Sequence, residues 1–129
     1  MIVDTSVFVA ILRREPERGG FLERLASSTS VRVSAGSLVE LTAVIEDRRP
    51  NLSAAADLLL DELGIVVEPF TVQQSRIARQ AYRAYGRGSG HPAKLNLGDC
   101  FAYALAKDLD LPLLYKGDAF AHTDVTPAL

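Results

Sequence analysis

The sequence predicts an α/β fold of three layers, with a mostly parallel central sheet and helices on both faces, and two features predict it. Short strand-like apolar runs alternate with longer stretches of helical period along the whole chain. The helical stretches carry their own start and stop signals, and no linker, internal repeat or low-complexity tail interrupts the alternation.

Residues 1–4 read as a short first strand. Thr5 to Arg14 follows as a helix, apolar on nearly every face until Arg13 and Arg14, a pattern suited to burial in a larger assembly. Glu17 to Ser28 is a second, more polar helix weakened by Gly19 and Gly20. VRVS at 31–34 alternates as a strand does. The helix after it runs from Ala35 to Arg49 and stops before Pro50, because a proline pushes the preceding residue out of the helical region. Ser53 reads as the N-cap of a helix over Ala54 to Leu63, which Gly64 closes. IVVEPF at 65–70 is the third strand, Thr71 caps a long helix reaching Tyr85, and a glycine-rich loop at 86–96 leads into a helix from Gly98 to Leu109. PLLYK at 112–116 is the last strand.

At 129 residues, 48% of them hydrophobic and 23% charged, the chain reads as one globular domain spanning 1–129. By size scaling it buries roughly two thirds of its unfolded surface. No apolar run has the roughly 18 residues of a membrane helix, and the N-terminus lacks a signal-peptide pattern, so the expected location is cytoplasmic. The single cysteine, Cys100, has no disulfide partner in the chain and reads as a small buried hydrophobe. Sixteen acidic against fourteen basic residues argue against a protein that coats nucleic acid by bulk charge, so such a partner needs a local basic stripe.

In open α/β sheets, ligands bind beyond the carboxyl ends of the strands. Asp4 ends the first strand, Glu40 sits one turn into the helix after the second, and Asp118 follows the last by two residues. Asp99 shares a helical arc with Phe101, Ala102, Tyr103, Leu105 and Ala106, opposite Asp108, at about 100° per residue, and so faces inward. Each acid also has a plain structural reading. Asp4 serves as an N-cap, as Thr5 or Ser6 equally can; Asp99 complements a helix dipole; Glu40 is solvated beside its apolar arc; Asp118 is a turn residue. Together, like charges at one strand edge raise one another's pKa unless a cation is shared among them. Hard oxygens without His or Cys favour Mg²⁺ or Mn²⁺, ions that activate water and neutralise charge developing on a phosphate. The implied chemistry is phosphodiester hydrolysis.

Arg76, Arg79 and Arg83 fall within about 60° of one another on their helix, and Arg87 continues the line. No acid lies between Thr71 and Arg87, and the stripe runs into the loop bearing His91 and Lys94. A solvated helix face is the plain account; the functional one is phosphate contact through Arg87, Lys94 and Lys116. His91 and His122 lack zinc spacing and read as loop polarity, and Ser6 either caps its helix or orients a water.

MIVDTSVFVAIL at the start, SLVE at 37–40, AYRAYGRGSGHPAKLNLGDCFAYALAK at 81–107 and LPLLYKGDAFAHTD at 111–124 together resemble the PIN-domain ribonuclease toxins called VapC. The resemblance covers essentially the whole chain. It implies a PIN-like domain and a Mg²⁺-dependent endoribonuclease of structured RNA, often tRNA or ribosomal RNA, acting as the toxin of a type II toxin–antitoxin pair. It also implies a homodimer and a VapB-type antitoxin. Asp4 and Asp99 match the acids that hold the metal, and Glu40 matches the acid of the second motif. KGDAF departs from the family's K-G-x-D-F: Ala119 takes the usual Asp position, with Asp118 one residue earlier, so the fourth carboxylate is either Asp118 from a shifted turn or is replaced by Asp124 or a water. A haloacid-dehalogenase-type phosphatase is disfavoured because Ser6 stands where its second Asp belongs, and a receiver domain because IVVEPF ends in no Asp. The remaining alternative is a catalytically impaired PIN-fold module that binds RNA or protein.

Overall fold

The structure, a computed structural model, describes residues 1–46 and 51–129. Among these residues the sheet has four strands, β1 (Ile2–Val3), β2 (Arg32–Ser34), β3 (Val66–Glu68) and β4 (Leu113–Leu114), all parallel in the order β3-β2-β1-β4. Ile2 aligns with Arg32 on one side and Leu113 on the other, so the strand ending at Asp4 occupies the middle. Parallel strands need crossovers. The described chain between them forms α1 (Thr5–Leu12), α2 (Arg18–Ala26), α3 (Ala35–Glu46), α4 (Asn51–Glu62), α5 (Val72–Tyr85) and α6 (Leu97–Leu109).

Strand side chains alternate between the two helical layers. Val3, Val33 and Leu114 pack with Phe8, Ile11, Phe21, Leu25, Leu41 and Ile45 of α1, α2 and α3. Ile2 and Leu113 pack with Ala81 of α5 and with Cys100 and Leu105 of α6. These five strand residues are fully buried, as in a parallel sheet covered on both sides. Each large one contributes roughly 1.5–3 kcal/mol of transfer free energy.

Several boundaries differ from expectation for identifiable reasons. Ser53 lies inside α4, where its hydroxyl donates to the Glu46 carboxylate instead of capping. β3 stops at Glu68 because Pro69 has no N–H for the ladder, and its valines stay half exposed at the sheet edge. β4 is shorter than PLLYK, because after Leu114 the chain turns away and the Lys116 N–H donates to the Ser6 hydroxyl. The other edge of β4 is covered by the chain end, through Leu113 N–H to Thr126 C=O at 2.8 Å and Ala128 N–H to Leu113 C=O at 2.9 Å. That pairing hides an open strand edge, and nothing in the sequence announced it. The Thr71 cap formed as expected, accepting the Gln74 N–H at 3.1 Å. The expected helix end at Arg49 before Pro50 lies outside the described residues. No helix among the described residues is long and apolar enough to cross a membrane.

Candidate active site

At the tip of β1 the two oxygens of Asp4 have different surroundings. Oδ2 caps α1, accepting the Ser6 N–H at 3.0 Å and the Ser6 hydroxyl at 2.6 Å. The Ser6 oxygen in turn accepts the Lys116 N–H at 3.0 Å, which ties the segment after β4 to the same point. Oδ1 is buried with no hydrogen-bond partner, in a residue only 3% exposed. Burial, reinforced by the charges of Asp99 and Glu40, pushes the Asp4 carboxyl up to about 7 against the pull of Ser6. Capping therefore explains one oxygen and leaves the other, a costly buried acceptor, unaccounted for.

Asp99 repeats this division of labour on α6. Asn96 and Asp99 form a reciprocal capping box: the Asn96 side chain accepts the Asp99 N–H at 2.8 Å, and Asp99 Oδ2 accepts the Asn96 N–H at 2.9 Å. Burial raises its pKa, opposed by the Asn96 N–H and by the Arg87 guanidinium. Glu40, one turn into α3, reaches across to both neighbours. The Thr5 hydroxyl donates to its Oε1, and its carboxylate lies so close over Gly98 that a Cβ there would overlap it. Its pKa is raised first by burial and then by Asp99.

The α3–α6 crossing is reciprocal. The Phe101 ring of α6 lies over Gly36 of α3 just as Glu40 of α3 lies over Gly98 of α6. Two glycines thus let the backbones approach closely enough to bring one acid from each helix to the tip of β1. Cys100 is buried beside the cluster, and burial with the Asp99 and Glu40 charges pushes its thiol up to about 11, so it stays protonated and unreactive.

Other candidate residues lie apart from these three. Asp118 is exposed in the bend after Gly117, and its carboxylate makes no hydrogen bond to the cluster. Asp124 is engaged elsewhere: the Tyr103 hydroxyl donates to it at 2.6 Å and Lys107 pairs with it at 3.1 Å. The Lys116 ammonium is held by Glu15 at 3.2 Å and Glu17 at 3.0 Å, so only its backbone reaches the site. Arg76, Arg79, Arg83, Arg87 and Lys94 are exposed, and among the described residues none of them has an acidic partner within ion-pair distance.

Thr5, Asn96 and Gly98 are site builders that the acid pattern alone did not single out. The N-x-x-D spacing at 96–99 is a legible capping-box signal. The need for glycine at 98 has no local signal, because it arises from another helix.

Among the described residues no three His, Cys, Asp or Glu side chains form a ready-made metal cage. A hard divalent ion does not require one, since Mg²⁺ keeps several waters and is commonly held by one or two carboxylates. The donors fit such an ion: one orphaned buried oxygen, three carboxylates whose pKa values are all raised, no imidazole, and a thiol held protonated.

A family model of the PIN domain matches residues 1–125. The chain is 53% identical over 129 residues to ribonuclease VapC42 of Mycobacterium tuberculosis, covering 99% of this chain and 98% of that protein. It is 51% identical to ribonuclease VapC28 of the same species, covering 100% and 98%. The crystal structure of M. tuberculosis VapC20, a sarcin-ricin loop cleaving toxin, superposes with a TM-score of 0.73 at 20% identity, covering 97% and 95%. VapBC2 from Rickettsia felis, bound to a fragment of promoter DNA, gives 0.72 at 15% identity, covering 98% and 94%.

Proposed function

Because this chain belongs to the PIN domain family, among the VapC ribonucleases, we propose that Asp4, Glu40 and Asp99 form its hydrolytic centre. The protein is a ribonuclease, the toxin of a VapBC toxin–antitoxin pair. The observation that carries the assignment of the site is the buried, unpartnered Asp4 Oδ1 set among like charges.

Asp4 Oδ1 and the Asp99 oxygen left free by the capping box would hold the divalent ion, Mg²⁺ with Mn²⁺ as the alternative. When bound, that ion supplies an acidified water and offsets the negative charge developing on the scissile phosphate. Ser6 and Asn96 fix the two carboxylates in rotation, so that the free oxygens need no reorganisation. Thr5 occupies Glu40 Oε1, which leaves Oε2 as acceptor for the proton of the attacking water. Burial, which raises the Glu40 carboxyl above its ordinary value, makes it a stronger base for that exchange. The reading rests on three carboxylates; Asp118, the fourth acid the sequence suggests, is exposed and outside their hydrogen bonds and is given no step.

The substrate is structured RNA, tRNA or ribosomal RNA, and the protein partner a VapB-type antitoxin. The chain works as a homodimer. A cleft between α5 and α6 supports this, lined by Phe70, Tyr82, Leu97 and Phe101 together with Arg79 and Arg83, with Leu97 70% exposed beside the acid cluster.

Incubation of wild type and Asp99→Asn with total RNA, in Mg²⁺ and in EDTA, tests the mechanism. Cleavage by wild type in Mg²⁺ alone is expected. Cleavage surviving both the substitution and chelation would overturn it, and tight RNA binding without cleavage would favour a binding module.

A further inference from the structure

The loop at 86–96 joins α5 to α6 and ends at Asn96, the cap of the helix that carries Asp99. Its ends are zipped together: the Arg87 N–H donates to the Leu95 C=O and the Leu95 N–H to the Tyr85 C=O, both at 2.9 Å. Gly88 and Gly90 take φ of 84° and 83°, left-handed turns that favour glycine, and Lys94 sits at φ 49°. The Ser89 hydroxyl donates to the Gly86 C=O at 2.6 Å and accepts the His91 N–H at 3.2 Å. The His91 ring stands edge-on to Tyr85, with centroids 4.9 Å apart, and its Nδ1 accepts the Ala93 N–H at 3.1 Å. Accepting through Nδ1 places the proton of the neutral ring on Nε2 and leaves Nε2–H a donor.

These contacts bound a cleft of about 610 Å³ lined by Arg87, Gly88, Gly90, His91 and Lys94. Its chemistry is narrow: two cations, an imidazole donor and glycine backbone, with no carboxylate and no large apolar side chain. No acidic residue occurs in the sequence between Glu68 and Asp99. Two cations and an imidazole N–H gathered on one cleft with no carboxylate beside them suit a phosphate, whose oxygens accept charge-assisted hydrogen bonds from such donors. The guanidinium of Arg87 also acts on Asp99, so the cleft and the acid cluster are electrostatically connected.

We propose that this closed loop is a preformed cradle for one backbone phosphate of the RNA flanking the scissile one, with Arg87, His91 and Lys94 as its donors. The proposal rests on the ribonuclease reading and assigns the contact that sets the strand's position in the site.

The test measures binding of a labelled oligoribonucleotide in EDTA by fluorescence anisotropy across a salt series, for wild type and for Arg87→Gln/Lys94→Gln. Loss of one phosphate contact lowers the slope of log affinity against log salt by about 0.7 for a single strand. Single methylphosphonate replacements scanned through the nucleotides around the cut weaken wild-type binding at one position, and that penalty disappears in the double variant. Arg87→Lys/Lys94→Arg keeps the slope, which separates lost charge from a disturbed loop. An unchanged slope in the glutamine variant, or an equal methylphosphonate penalty in both proteins, would overturn the cradle. So would an intact RNA slope with weakened capture of an acidic peptide, which assigns the loop to a protein partner. Wild type that fails to cut unmodified RNA in Mg²⁺ removes the ribonuclease reading and the cradle with it; cleavage with an unchanged slope removes the cradle alone.

Discussion

On the proposed site, replacing Asp4 with asparagine removes a metal-holding carboxylate and stabilises the metal-free fold, and the burial of Asp4 gives the size of the stabilisation. In the folded, metal-free protein the Asp4 carboxyl titrates near 7 instead of 3.8, chiefly through burial and then through the charges of Asp99 and Glu40. A raised carboxyl favours folding fully below its unfolded pKa and loses that contribution as pH climbs through the folded value. Above pH 7 the ionised Asp4 therefore costs the metal-free fold about 4 kcal/mol at the upper bound, by pKa linkage. Asparagine keeps the side-chain oxygen that caps α1 and removes the charge. Recovering even a quarter of that cost raises the melting temperature by roughly 3–5 °C for a chain of this size. The assay is thermal melting of wild type and Asp4→Asn in EDTA at pH 8 and pH 5. The variant melts higher at pH 8, the gap narrows at pH 5, and Mg²⁺ raises the melting temperature of wild type alone, because a ligand stabilises only the state that binds it. A gap of the same size at both pH values, or a variant less stable than wild type at pH 8, would refute the reasoning.

Thr5→Val deletes the hydroxyl that holds Glu40, so turnover falls about tenfold or more, the expected cost of one charge-assisted hydrogen bond, while Thr5→Ser restores it; steady-state cleavage of a defined RNA reads both. Gly98→Ala places a methyl where the Glu40 carboxylate lies, costing about 1–3 kcal/mol in denaturant melts together with activity. Asp118→Asn lowers cleavage less than about threefold, because a solvated charge is screened, whereas Asp99→Asn lowers it by at least two orders of magnitude, about the value of a positioned catalytic group. On the proposed homodimer, Leu97→Asp yields a monomer where wild type runs as a dimer, visible by light scattering during gel filtration; a wild type that is monomeric would overturn the dimer proposal.

The sequence carried most of the fold because each element announced itself locally. Asp4, Thr71 and the N-x-x-D box at 96–99 start helices through side chains within three residues of the groups they cap. Alternation of strands with helices then constrained the sheet to parallel strands, since short crossovers permit little else. The inward face of Asp99 followed from its helical period, and the position of Asp4 followed from the end of a strand.

What the sequence could not reach were contacts whose partners lie far along the chain. Residues 126–128 pair with β4 through backbone groups, which carry no residue signature. The sequence suggests Lys116 as a phosphate ligand, yet Glu15 and Glu17 hold its ammonium. It offers Asp124 as a substitute for the missing acid, yet Tyr103 and Lys107 engage it. By itself the sequence placed Asp4, Glu40 and Asp99 toward the carboxyl edge of the sheet, and Asp118 with them, because strand ends and helix periods are local properties. Only the tertiary structure decided that half-buried Glu40 and Asp99 come beside the buried Asp4, because that depends on how closely α3 and α6 approach, and two glycines on different helices, Gly36 and Gly98, set that distance.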